Sequence, residues 1–154
     1  MIDWPIAELL PHAGNMILLD GVLRFDDDSL EACATVRPGG PFNDPDGSLP
    51  AWAGVELMAQ AIAAYAGCRA RREGVPIAMG FLLGTRKYSC NVERFPAGSR
   101  LTLRALRSLE DESGMGVFEC HISGDGLQAE ARLNVYRPPN AGDYLAHVQE
   151  TPHD

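Results

Sequence analysis

The stretch LPAWAGVELMAQAIAAYAGCRARREG, residues 49–74, decides how the rest of the chain is read. From Leu49 to Cys68 its only charge is Glu56. Ser48 is placed to cap a helix with Pro50 in its first turn, and Gly74 followed by Pro76 ends it. At ~1.5 Å per residue such a helix is roughly 35 Å long. Its first two-thirds is apolar all round, the pattern of a helix enclosed by other structure. Arg69, Arg71 and Arg72 close it, where positive charge suits the helix dipole. Glu56 and Gln60, at i and i+4, share one face. A carboxylate enclosed by Trp52, Val55, Leu57 and Met58 is costly unless it has partners or a task, so Glu56 is the first functional candidate.

Outward from the helix, the patterns are those of strands. Pro5 to Leu10 reads as a short helix capped by Asp3, and MILLDGVLRF (16–25) as a buried strand. LEACATVR (30–37) alternates as a half-buried strand, and PGGPFNDPDGS (38–48) is turn chemistry. Beyond the helix, strands are expected at 77–84, 85–93, 99–108, 116–124 and 127–136, with FPAGS and GDG as turns. Consecutive antiparallel strands with one helix after the second predict an α+β domain, its sheet curved around the helix. That domain covers residues 1–137; residues 138–154 form a polar, proline-broken tail.

A length of 154 residues and 45% hydrophobic content fit a single domain. The net charge of −8 argues against nucleic acid, which needs clustered positive charge. Cys33, Cys68, Cys90 and Cys120 show no C-x-x-C or zinc spacing and read as reduced thiols; no metal site is expected. The D-P-D-G turn lacks the order of a calcium loop. No apolar run reaches the ~18 residues of a membrane span, and MIDWPIAELL carries acids where a secretion signal has basic residues, so a cytoplasmic location without membrane contact is expected.

Three stretches carry a likeness to a known family. LLPHAGNMILLDGVL (9–23) resembles the opening of the bacterial 3-hydroxyacyl-acyl-carrier-protein dehydratases, roughly LLPHRxPFLLVDRV. LPAWAGVELMAQAIA (49–63) resembles their central helix, placing Glu56, Met58, Ala59 and Gln60 on an E-x-M-A-Q motif. FLLGTRKYSCNVERFPAGSRLTL (81–103) is similar to a strand pair of the form FLxGxxxxxFxxxVxPGDxL. Within the group the sequence looks most like dehydratase-like proteins of bacterial aryl-polyene pathways, which share the P-A-W-x-G-[IV]-E-x-M-A-Q helix start. The resemblance implies a dimeric hotdog fold, a long helix wrapped by curved antiparallel sheet, with active sites at the subunit interface.

It also implies a chemistry. Dehydrating a 3-hydroxyacyl thioester takes a base for the α-proton, an acid for the β-hydroxyl and stabilisation of the thioester oxygen. Glu56 matches the family's helix carboxylate, the general acid. The family's G-H-F-P-G loop histidine, its base, has no counterpart: the chain is about four residues short there and reads NDPDGS. His12, in the matching L-P-H motif, is the substitute base. Ala51, Trp52, Phe42, Asn43 and Gln60 are expected to bind substrate, and Arg69, Arg72, Arg86 and Lys87 to meet a carrier protein. No cofactor is implied beyond the phosphopantetheine or coenzyme A that carries the acyl group. Expected partners are an acyl-carrier protein or coenzyme A thioester and a second subunit, identical or a related dehydratase. Two alternatives stand beside this: a hotdog thioesterase using Glu56, and a non-catalytic partner that binds the carrier or completes an active dehydratase. His121, His147 and His153 are given no role.

Overall fold

The computed structural model describes residues 2–12, 14–77 and 80–138. Two strands, β1 (Gly21–Phe25) and β2 (Ser29–Thr35), precede the helix α1 (Ala53–Glu73), itself preceded by a two-residue strand β3 (Leu49–Pro50). After it come β4 (Phe81–Cys90), the short β5 (Arg94–Phe95), β6 (Arg100–Glu110), β7 (Met115–Gly124) and β8 (Leu127–Tyr136). Six strands form one antiparallel sheet in the order β1-β2-β6-β7-β8-β4, and β3 pairs with β5 in a small separate ribbon. This is the α+β layout the sequence predicts.

Alternation on the strands builds the core. On β8, Leu127, Ala129, Ala131 and Leu133 are buried, and Gln128, Glu130 and Arg132, which alternate with them, are exposed. Cross-strand rows mix large and small side chains: Leu30, Ala105, Cys120 and Ala131 form one, and Ala32, Leu103, Ile122 and Ala129 the next. Such rows give a sheet face that a helix can approach closely. Leu57, Met58, Ala61, Ala64, Tyr65 and Cys68 of α1 are buried against it. Each larger apolar side chain so enclosed contributes about 1.5–3 kcal/mol. Burial also raises the Cys68 thiol to about 11 and Cys120 to about 12, so both stay protonated.

Several sequence-based boundaries move. The helix begins at Ala53, because Leu49 and Pro50 pair with Phe95 and Arg94 and Ser48 hydrogen-bonds Asp46 instead of capping. Its end is as expected, with Gly74 left-handed at φ 71. Pro5–Leu10 is a single 3-10 turn at Ile6–Glu8, without a side-chain cap from Asp3. The first strand starts at Gly21, since Gly14–Met16 coils as another 3-10 turn. The two strands expected over 77–93 are mainly one, β4, carried through Gly84 and Lys87 by irregular pairing. The tail proposed for 138–154 lies, from Pro139 on, outside the described residues, as do His147 and His153.

The helix is also less enclosed than its composition implies. Val55, Glu56, Ala59, Ala63 and Ala66 stay half-exposed along one stripe, because the sheet covers one side and the N-terminal segment only part of the other. Gly67 marks where that segment presses closest: a methyl group there would overlap the Leu9 carbonyl oxygen and lie 3.0 Å from Leu9 C and Cα. Backbone cannot swing aside as a side chain can. Gly67→Ala is expected to cost about 1–3 kcal/mol through overpacking, after the helix-propensity gain of up to ~1 kcal/mol is offset. A thermal melt at or above the wild-type midpoint would contradict this.

Candidate active site

With the helix starting at Ala53, Glu56 falls in its first turn, where the positive end of the dipole favours a carboxylate. One turn on, Gln60 is fully buried, with 0% exposure. Its amide nitrogen donates to the Met16 carbonyl at 2.7 Å and to Glu56 Oε1 at 3.0 Å. Its carbonyl oxygen accepts the Leu18 N–H at 2.8 Å. Both amide donors and one lone pair of the carbonyl are thereby used within the chain. Gln60, expected to contact substrate, ties the helix to the segment leading into β1 and holds the carboxylate.

That same segment delivers His12. Its Nε2 lies 3.4 Å from Glu56 Oε1, and the two side chains are 24% and 29% exposed. Its Nδ1 is buried without a hydrogen-bond partner among the described residues. Oε1 therefore faces both His12 and Gln60, while Oε2 has no hydrogen bond among the described residues. The structure thus joins residues 12, 56 and 60 within one chain. Glu56 is half-exposed, not enclosed as the sequence implies, because Trp52 turns outward with 61% exposure and Val55 stays on the open stripe.

The remaining candidates divide. Phe42 and Trp52 meet edge to face at 6.3 Å, covering the approach to the helix start. The Ala51 carbonyl accepts from the Gly54 N–H at 3.0 Å and from the Tyr88 hydroxyl. Asn43 closes its own loop, accepting from Gly40 N–H and donating to the Gly47 carbonyl, both at 2.9 Å. It also borders a cavity of about 220 Å³ lined by Leu18, Ala34, Leu49, Leu57 and Leu101, behind the segment that Gln60 tethers.

The expected carrier-binding residues do not act alike. Arg69 lies 3.6 Å from Glu110 and over the Tyr65 ring, and Arg72 is 2.9 Å from Asp27 and over Phe25. These two pin the helix end to the sheet. Arg86 and Lys87 are exposed on β4 with no ion pair among the described residues. His121 lies outside the site, 3.8 Å from Glu130 on the exposed sheet face. Sequence reasoning missed Tyr88, whose hydroxyl reaches the helix start, and no local pattern marks it. Among the described residues no helix is long and apolar enough to cross a membrane, and no cluster of potential metal ligands occurs.

Comparison with known proteins bears on this site. Residues 4–146 match the family model described as ApeP-like, ApeP dehydratase. The dehydratase heterocomplex ApeI:P from Xenorhabdus doucetiae contains a chain 34% identical to this one, with a TM-score of 0.84, over 96% of this chain and 99% of that one. The PaaI protein of the E. coli phenylacetic acid degradation operon is 18% identical with a TM-score of 0.54, over 76% of this chain and 82% of that one. A hypothetical thioesterase from Streptococcus pneumoniae, solved with coenzyme A, is 12% identical with a TM-score of 0.56, over 75% and 83%. The last two share the fold alone. No curated protein matches the chain. A long helix held in a curved antiparallel sheet, together with a family match across nearly the whole sequence, makes this a hotdog-fold member of the ApeP-like dehydratase family.

Proposed function

We propose that the chain is a subunit of a 3-hydroxyacyl-thioester dehydratase in which Glu56 is the general acid and His12 the base. The supporting observation is the contact of these two groups, with Gln60 fixing one carboxylate oxygen and leaving the other free. The reaction balances on the pair. His12 Nε2 takes the α-proton, the C–H electrons form the C=C bond, and the β C–O bond breaks as Glu56 protonates the hydroxyl and water leaves. The pair then holds as many protons as before, and one transfer between its members resets it. At 3.4 Å there is no room for a substrate carbon between the two, so both act from the same side of the chain and the elimination is syn. As written, the reaction needs no metal or organic cofactor; the acyl group arrives on phosphopantetheine, from carrier protein or coenzyme A. Exposed Arg86 and Lys87 are the charges left to meet its phosphate, since Arg69 and Arg72 are paired.

A second chain belongs to this reading. The helix stripe beside Glu56 is apolar and half-exposed, and β4 ends the sheet with Phe81, Leu82 and Leu83 at 42%, 44% and 55% exposure. An edge strand with three consecutive exposed apolar residues is built to pair. The ApeI:P heterocomplex supports a related dehydratase chain as the partner.

The test is conversion of 3-hydroxyacyl thioesters of coenzyme A and carrier protein to trans-2-enoyl thioesters, by the chain alone and mixed with a related dehydratase. Wild type is expected to turn over in at least one setting, and His12→Asn to slow it about 10²-fold or more. No interconversion in either setting would sink the proposal. Release of free thiol instead would point to a thioesterase.

A further inference from the structure

One strand of the sheet breaks its pairing register in mid-course. Lys87, on β4, has φ 57, the one left-handed non-glycine residue among the described residues. It lies inside a register break: Arg86 pairs with Arg132 and Ser89 with Glu130, so three steps on β4 span two on β8. The extra residue inverts the alternation of the strand. Before it, Thr85 opposes the inward-facing Leu133; after it, Cys90 opposes the inward-facing Ala129. On an unbroken register from Thr85, Tyr88 would face solvent. With the bulge it turns under the sheet, and its hydroxyl donates to the Ala51 carbonyl at the start of α1.

The helix leaves room for it. A methyl group on Gly54 would overlap the Tyr88 hydroxyl and lie 3.1 Å from Cζ. Burial keeps this phenol protonated, raising it far above its usual range, and the neighbouring Cys90 sulfur pushes the same way. The helix start has no side-chain cap of its own. The Ala51 N–H bond to the Glu93 carbonyl and the Tyr88 hydroxyl hold it instead. A left-handed lysine costs of order 1 kcal/mol, and strain of that kind persists where the surrounding structure fixes it for a purpose.

We propose that Tyr88, aimed by the bulge at Lys87, is a positioning residue for the reaction: it anchors the first turn of α1 and thereby the orientation of Glu56, an inference that rests on the dehydratase reading above. Bulges commonly re-aim a side chain beside an active site. Here the side chain aimed is a hydrogen-bond donor to the peptide on which the catalytic helix begins.

Tyr88→Phe keeps the ring and removes the donor. With 3-hydroxyacyl coenzyme A as substrate, kcat is expected to fall about ten-fold with KM nearly unchanged, because orientation is lost and not binding, and the melting temperature to drop by only a few degrees, the loss of one hydrogen bond. Independently of turnover, hydrogen exchange at residues 53–55 should quicken about ten-fold, the effect of one net hydrogen bond. Lys87→Gly and Lys87→Val both remove the ammonium group, but only glycine accepts φ 57, so the valine variant should be the slower. Unchanged kcat in Tyr88→Phe, or losses of kcat and melting temperature in step, would overturn the proposal, as would unaltered exchange. A wild type without turnover whose Tyr88→Phe variant still exchanges faster would remove the dehydratase reading and leave the anchor standing.

Discussion

Glu56→Gln is expected to lower dehydration turnover about 10²–10⁴-fold, the range over which a positioned acid accelerates proton transfer. The substitution keeps the shape. A glutamine there still presents a carbonyl oxygen to the Gln60 amide, which is now 3.0 Å from Glu56 Oε1. What it loses is the transferable proton and the negative form of the pair. Stability should change little: a carboxylate in the first turn gains about 0.3–1 kcal/mol from the helix dipole, so the melting midpoint should drop by about 1–4 °C. A side chain that merely packs would show the opposite pattern, normal turnover and the same small loss of stability. Glu56→Asp sharpens the contrast, because it retains the acid and withdraws it by one methylene from both His12 and Gln60. Its activity should fall between wild type and Glu56→Gln. Turnover of Glu56→Gln within about three-fold of wild type would remove Glu56 from the chemistry, since even a weak general acid contributes more.

The residues that alternate or repeat with the period of their element were legible, and those placed by tertiary contact were not. Leu127 to Leu133 could be read because each inward residue reports the same face. The helix could be read from its apolar run and Gly74, but its start could not, because Leu49 and Pro50 are drawn into pairing with residues more than forty positions away. Glu56 stood out as the lone charge in that run. His12 was a candidate only through its motif; its contact with Glu56 joins residues 44 apart, and no local pattern encodes that. Tyr88 was invisible for a different reason: its orientation depends on one backbone angle at Lys87, and a lysine carries no signal for a left-handed conformation as a glycine does. Gln60 was legible as a helix neighbour of Glu56, but its bonds to Met16 and Leu18 were not. Its helical spacing from Glu56 is a local fact, whereas Met16 and Leu18 come from a segment expected to be strand but held here by Gln60.

That tether carries the largest stability effect expected of a single substitution. Gln60→Leu matches the volume and leaves two backbone groups without partners, the Leu18 N–H and the Met16 carbonyl, while Glu56 Oε1 loses one donor and keeps only His12 beside it. Each polar group left unsatisfied on burial costs about 1–3 kcal/mol. Met16 is 41% exposed, so water can reach its carbonyl in part, and the leucine recovers some free energy by burial. The net loss should still be about 2–4 kcal/mol, a large share of the 5–15 kcal/mol that holds a typical domain together. Gln60→Glu should fare worse: it removes both donors and sets a second carboxylate against Glu56 at i and i+4, where like charges repel. Urea unfolding measures both, and the midpoint should shift with little change in slope, since the same surface is exposed. The catalytic consequence follows from the same geometry. His12 rides on the segment that Gln60 holds, and Glu56 is bonded to Gln60 directly, so releasing the tether separates base from acid. In Gln60→Leu, turnover should therefore fall even at low temperature, where the variant remains folded. If the unfolding free energy of Gln60→Leu stays within about 1 kcal/mol of wild type, the value of one ordinary hydrogen bond, then the segment bearing His12 is held by the packing of Leu9, Leu10 and Leu19 and not by the amide.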